Sequence, residues 1–223
     1  MLRIISSTYQ TWKGCKNLLF LLLLSFAVAQ ATAQENPTAA QVKITIGGNV
    51  YGGGNQGEVG TEKTEYTFDK ENSTDDMTSV IVCCGEIKNV FGGGRMAGVY
   101  GNSTVTIDGT TSTNQIIIGN VYGGNDIAGE VKGGAKVKST YDAEKAAKPV
   151  YIAKLFGGGN GDYTYGTELV DGVYQVKSGD EVIATSATEL TEPHIADVAI
   201  DLQAGAWRSS RIQGRTVPEK TAI

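Results

Sequence analysis

Residues Asn49 to Gly60 read NVYGGGNQGEVG, and the centre of this stretch returns as NVFGGGRMAGV from Asn89, NVYGGNDIAGEV from Asn120 and KLFGGGNGDY from Lys154. The aromatic residues Tyr51, Phe91, Tyr122 and Phe156 therefore recur at spacings of 40, 31 and 34 residues. These are uneven but lie within the range of stacked repeat architectures. A single catalytic loop has no use for four copies, whereas a corner does. An aromatic side chain just before a corner is buried. The glycines after it, Gly52-Gly53, Gly92-Gly93, Gly123-Gly124 and Gly157-Gly158, permit backbone angles that a side chain obstructs and let neighbouring corners approach closely. Stacked in register, the four rings form an internal aromatic column.

Between the blocks the period is that of strands. In QVKITI, Val42, Ile44 and Ile46 share one face and Lys43 and Thr45 the other, and the same alternation marks STVTID at Ser103–Asp108, NQIIIG at Asn114–Gly119, AKVK at Ala135–Lys138 and DVAIDL at Asp197–Leu202. One short stretch, YDAEKAAK at Tyr141–Lys148, reads as helical and is closed by Pro149. The pattern predicts an all-β chain, a right-handed parallel β-helix or solenoid whose coils of about 20–25 residues carry extra loops. The alternative is an antiparallel β-sandwich, supported by ELVDGVYQV, where Asp171-Gly172 stands between apolar residues as in a tight hairpin. On the solenoid reading, 34–203 are the repeats, with a hairpin-like insertion near 167–187.

The N-terminus has the form of a secretory signal: Arg3, Lys13 and Lys16 precede LLFLLLLSFAVA, and AQATAQ supplies small residues for cleavage after Ala33. Residues 1–33 are thus expected to be removed. The apolar run is shorter than the roughly 20 residues of a membrane-spanning helix, so no span is expected after cleavage. Of 19 Lys+Arg and 24 Asp+Glu, the leader takes three basic residues, leaving 16 against 24, a net charge of about −8. With basic residues scattered up to the 204–223 tail, a nucleic-acid partner is excluded. Cys15 leaves with the leader. Cys83 and Cys84 are adjacent, point to opposite strand faces and cannot staple the fold; they are expected to place one side chain in the core and one outside.

The glycine runs lack the Walker pattern and open no helix, so a phosphate loop is set aside. GGGNGD at Gly157–Asp162 has the look of a calcium β-roll, but that pattern demands nine-residue repetition. Asn55, Asn125, Asp126, Asn160 and Asp162 are at most isolated weak calcium ligands at corners, and turn chemistry accounts for them. No cofactor and no metal are expected. For polysaccharide cleavage two carboxyl groups must face each other about 5–10 Å apart. The candidates are Asp108, Asp126, Glu130 and the pair Asp75-Asp76, although Asp108 precedes Gly109 as a turn residue does and Asp75-Asp76 lies in the polar stretch DKENSTDD, which reads as an exposed loop. His194, the sole histidine, follows Pro193 and reads as a surface or loop residue rather than a catalytic base. The NST sequons at Asn72 and Asn102 are read as incidental.

The leader with the repeated NVYGGGN and NVFGGGRMAGVYGNSTVTIDG blocks resembles the glycine-rich, adhesin-like surface proteins of Bacteroidota, over roughly Val42 to Asp162. The resemblance implies a cell-surface, outer-envelope or extracellular location and a non-enzymatic role. The chain departs from it after AIDLQAGAW, where RSSRIQGRTVPEKTAI stands in place of a further glycine block; a disordered tail and a truncated array are both compatible with this. The expected function is presentation of a polar β-solenoid face to a glycan or extracellular matrix protein, with Tyr100, Tyr163 and Tyr165 as aromatic contacts. The alternatives are a polysaccharide lyase or glycosidase β-helix, and a structural envelope segment or truncated fragment of a longer repeat protein.

Overall fold

The computed structural model describes residues 44–69, 74–110, 115–142 and 150–203. The signal segment 1–33, the residues Val42 and Lys43, the Asn72 sequon, most of the YDAEKAAK stretch and the 204–223 tail lie outside them. Among the described residues there are thirteen strands and no helix.

The chain is all-β and its two larger sheets are parallel. The first sheet stacks β1 (Thr45–Tyr51), β4 (Gly85–Phe91), β7 (Ile116–Tyr122) and β9 (Val150–Phe156) in that order. The second is built from interrupted rungs: β2 (Val59–Gly60) and β3 (Asp76–Val82), then β5 (Val99–Tyr100) and β6 (Asn102–Asp108), then the continuous β8 (Glu130–Thr140), with β13 (His194–Leu202) on the far side of β8. The chain passes from one sheet to the other at every glycine block. Asn49, Val50 and Tyr51 pair in turn with Asn89, Val90 and Phe91, these with Asn120, Val121 and Tyr122, and these with Lys154, Leu155 and Phe156.

The core lies between the sheets. Val90, Val121, Ile87, Ile118 and Ile152 from the first sheet meet Val80, Val82, Val105, Ile107 and Val137 from the second. Each column is a run of like residues because each is one position read through successive rungs, and burying such a set is the dominant favourable term in folding.

A smaller antiparallel sheet, β10 (Thr164–Tyr165), β11 (Tyr174–Ser178) and β12 (Glu181–Ser186), interrupts the fourth passage between the sheets. Asp171 and Gly172 both have positive φ and Val170 bridges Val173, the geometry of a tight two-residue turn. The insertion begins at Thr164 rather than near Thr167 and has its own small core, in which Val176 and Ala184 pack with Ile127 and Ala128 of the third corner.

Two local expectations are corrected. Cys83 is exposed and Cys84 half-buried: β3 ends at Val82, so both cysteines fall in the turn and neither reaches the core. Burial raises the Cys84 thiol above its ordinary value. Asp75 is buried rather than in an exposed loop. Its carboxylate accepts from Lys63 Nζ and Thr67 N, because residues 61–69 fold back across the second sheet. There Phe68 covers Gly134, where a Cβ would lie 2.3 Å from its ring.

Candidate functional site

The corners must come first, since they position everything beside them. The four rings stack almost parallel, Tyr51 on Phe91 at 5.1 Å, Phe91 on Tyr122 at 4.7 Å and Tyr122 on Phe156 at 4.8 Å between centroids. The column is not part of the valine and isoleucine core. It lies two residues beyond an asparagine ladder in which Asn120 Nδ2 donates to Asn89 Oδ1 and Asn89 Nδ2 to Asn49 Oδ1, on the same strand face. Asn49 Nδ2 also donates to the Tyr51 hydroxyl.

The glycines are required by close approach rather than by backbone angle. None of the eight anchors Gly52, Gly53, Gly92, Gly93, Gly123, Gly124, Gly157 and Gly158 has positive φ. A Cβ on Gly52, Gly92 or Gly123 would lie 2.2–2.3 Å from the carbonyl oxygen of the next corner's first glycine. The same approach continues the parallel ladder around the bend, with Gly53 N donating to Gly93 O, Gly93 N to Gly124 O and Gly124 N to Gly158 O.

The candidate calcium ligands are engaged within the corners. Asn125 is buried; its Oδ1 accepts from Gly94 N at 2.7 Å and its Nδ2 donates to Ala97 O and Ala128 O. Asp126 accepts from the Tyr51 and Tyr163 hydroxyls at 2.6 and 2.7 Å and from Asn160 Nδ2 at 3.0 Å. Burial first, and then the Asp126 carboxylate, push Tyr51 up to about 12 and Tyr163 higher still. Asn55 is exposed and takes a 3.3 Å bond from Arg95, and Asp162 is exposed. No cluster of three or more His, Cys, Asp or Glu side chains suited to a metal occurs among the described residues.

Of the candidate carboxylates, Asp108 accepts from Thr110 N and Oγ1 and from Thr140 Oγ1, an end-of-strand turn. Asp76 pairs with the buried Lys136 ammonium at 3.0 Å and accepts from Asn102 Nδ2. The structure does not bring these together with Asp126 or Glu130 in one cleft.

Glu130 does line a cleft. Where the chain leaves each corner and enters the second sheet, Val59 pairs with Val99 and Val99 with Val131. The residues just before them are Glu58, Gly98 and Glu130, and the residues just after are Gly60, Tyr100 and Lys132. Two columns thus run side by side at the mouth of the second sheet. Gly60 and Gly98 leave them hollow, and Glu189, Leu190 and Thr191, following the antiparallel insertion, form the opposite wall. The enclosed space is about 360 Å³, at the low end of the roughly 300–1,000 Å³ of small-ligand sites.

The Tyr100 hydroxyl donates to Glu58 Oε1 at 3.1 Å, which raises the phenol above its ordinary value. Lys132 Nζ lies 2.5 Å from Glu130 Oε2; the pair lowers the Glu130 carboxyl and raises the Lys132 ammonium. His194, exposed at the start of β13, stands 3.4 Å from Glu130 Oε1. Chemically the cleft offers a half-buried aromatic ring, three carboxylates and one ammonium, which suits a ligand rich in hydroxyl groups.

Of the three tyrosines expected to contact ligand, only Tyr100 lines this cleft. Tyr163 and Tyr165 turn inward, Tyr163 to Asp126 and Tyr165 with its hydroxyl to Ile127 O, and hold the insertion down together with Arg95, which donates to Ile183 O. Sequence reasoning missed Glu58 and Lys132. The signal was available in the aligned blocks: the position after the repeated valine reads glycine, tyrosine, lysine, and such variation in an otherwise uniform repeat marks a surface under different demands. Comparison with family models, with curated proteins and with solved structures gives no match for this chain.

Proposed function

We propose that this chain is an exported, adhesin-like surface protein: a right-handed parallel β-solenoid that binds carbohydrate in the cleft between its corners and the antiparallel insertion. The observation that carries the binding reading is the convergence of Tyr100, Glu58, Glu130 and Lys132 on one cleft from three successive rungs. The solenoid reading is supported by four in-register rungs in each parallel sheet and by the backbone ladder that continues through the corners; right-handedness follows the rule for parallel crossovers. Export is supported by the leader sequence, and sequencing of the secreted chain is expected to begin at Gln34.

The test is a glycan array probed with the secreted chain, followed by calorimetry on each hit. Tyr100→Ala is expected to lower affinity at least tenfold, about 1.4 kcal/mol, without changing the melting temperature. An array without a single reproducible hit refutes the reading.

One observation favours a second reading, polysaccharide cleavage: Glu58 and Glu130 line the same cleft. Release of reducing ends or unsaturated sugars from a polysaccharide panel, lost in Glu130→Gln, would replace binding by catalysis. Binding without turnover leaves the adhesin-like reading in place.

A further inference from the structure

The stack of rungs is open at both ends. β1 and β9 are the outer strands of the first sheet, and β13 has β8 on one side only. The core columns run out with them. Ile46 pairs with Ile87 in the column of buried isoleucines yet is 38% exposed, and Ile200 pairs with the buried Val137 yet is 47% exposed, as is Val198.

A second, independent observation concerns the glycines. The second glycine of each of the first three corners is obstructed by the corner that follows: a Cβ on Gly53 would lie 2.9 Å from Gly94 N, on Gly93 2.0 Å from Asn125 Oδ1 and on Gly124 3.2 Å from Gly159 N. The fourth corner keeps the full block Gly157-Gly158-Gly159. Yet a Cβ on Gly158 would meet nothing within 4 Å, and Gly158 has no positive φ. The last corner is built to receive another corner, and none follows among the described residues.

We propose that a second copy of the chain supplies it, with the fourth rung of one protomer stacking on the first rung of the next. The registers within the chain fix the geometry: Phe156 meets Tyr51 of the second copy, Leu155 meets its Val50, Ile152 meets its Ile46, and Gly158 meets its Gly54 amide. The contact repeats the one each rung already makes with its neighbour, so the two faces are complementary by construction. β1 carries an irregularity at Gly47-Gly48, and a bulge on an edge strand limits pairing there. The junction therefore forms from Asn49 onward and is weaker than the contacts within one chain. A head-to-tail contact of this kind does not close on itself and propagates into open filaments.

Sedimentation velocity and negative-stain microscopy of the secreted chain, from micromolar to millimolar concentration, test this. The expected result is a concentration-dependent series of species growing past the dimer into rods. Gly158→Val is expected to raise the concentration for assembly at least tenfold, about 1.4 kcal/mol, with monomer melting unchanged. Ile200→Lys, at an exposed site, is the second variant, used where Gly158→Val melts differently. A chain that stays monomeric overturns the proposal, as does a dimer that never grows, which means end-on pairing of like faces. Assembly that appears only after residues 204–223 are removed overturns it too, since the chain's own C-terminal segment then covers the end. Assembly of both variants at the wild-type concentration likewise refutes it.

Discussion

Asn125→Ala is the perturbation whose cost follows most directly from the structure. Asn125 occupies the third place of its corner, where the others have Gly54, Gly94 and Gly159. It is fully buried. Its amide ties two corners together, accepting from Gly94 N and donating to Ala97 O and Ala128 O at 3.0 and 3.2 Å. Alanine removes three bonds, each worth about 1 kcal/mol net, and strands a buried N–H whose desolvation alone costs about 1–3 kcal/mol. The expected loss is about 3 kcal/mol. For a chain of this size that corresponds to a melting temperature lower by roughly 6–12 °C, at about 2–4 °C per kcal/mol. Urea unfolding followed by far-UV circular dichroism measures it, with the slope unchanged. Because Ala97 and Ala128 line the cleft, ligand affinity should fall as well, although Asn125 does not line it. A loss below about 0.5 kcal/mol, the range of ordinary surface substitutions, refutes the reasoning: water would then replace the amide, and the corners would not depend on it.

Phe91→Leu keeps the volume roughly filled but ends the ring stacking on both sides; double-jacketed by Tyr51 and Tyr122, it should cost roughly 1–3 kcal/mol from the two lost aromatic pairs, read by the same unfolding assay. Gly92→Ala places a methyl 2.3 Å from Gly123 O and 3.1 Å from Val105, and backbone displacement of this kind should cost about 1–3 kcal/mol or more. Asp76→Ala leaves the Lys136 ammonium buried without its carboxylate; with Asp76 itself partly exposed, the loss should fall somewhat below the roughly 3–5 kcal/mol of a fully buried pair, and Lys136→Met should recover part of it in the double variant. In alkali, Tyr51 and Tyr165, held at about 12, should ionise after the ordinary tyrosines near 10. Their folded values are raised, so the stability they contribute is present below pH 10 and is lost as pH rises towards 12; absorbance at 295 nm should resolve this late class, and a single midpoint near 10 would count against it.

Much of the fold was legible because a repeat reports its own register. Aligning the four blocks by their aromatic residues gives the pairing Tyr51, Phe91, Tyr122 and Phe156 that the strands adopt. The alternation in STVTID identifies Val105 and Ile107 as core residues, and both are fully buried. What the repeat does not report is contact between residues that its period keeps apart. The burial of Asp75 depends on the 61–69 segment crossing the second sheet, and the location of the aromatic column depends on which strand face the asparagines share. The role of the glycines was half visible. Close approach was legible from their number, but the residues that need positive φ lie elsewhere, at Gly60, Gly85, Gly101 and Gly129, where single glycines close strands or begin them.

The candidate cleft arises where the repeat is broken, and this explains why neither periodicity nor a motif pointed to it. A uniform stack of rungs has flat faces, because every column presents one residue type and every corner packs on the next. A hollow needs two departures. One is a column whose members differ in size, as Gly60, Tyr100 and Lys132 do beside Glu58, Gly98 and Glu130. The other is a wall that the stack cannot supply, here Glu189 to Thr191 after the antiparallel insertion. The insertion in turn stays down only because the corners offer it anchors: Asp126 for Tyr163, the Ile127 carbonyl for Tyr165, and Arg95 for the Ile183 carbonyl. The residues that break the glycine block at the second and third corners, Arg95 and Asp126, are therefore the ones that hold the wall of the cleft in place. If that chain of dependence is right, Arg95→Ala should loosen the insertion and weaken ligand binding while leaving the two parallel sheets intact, a separation that hydrogen exchange can resolve strand by strand.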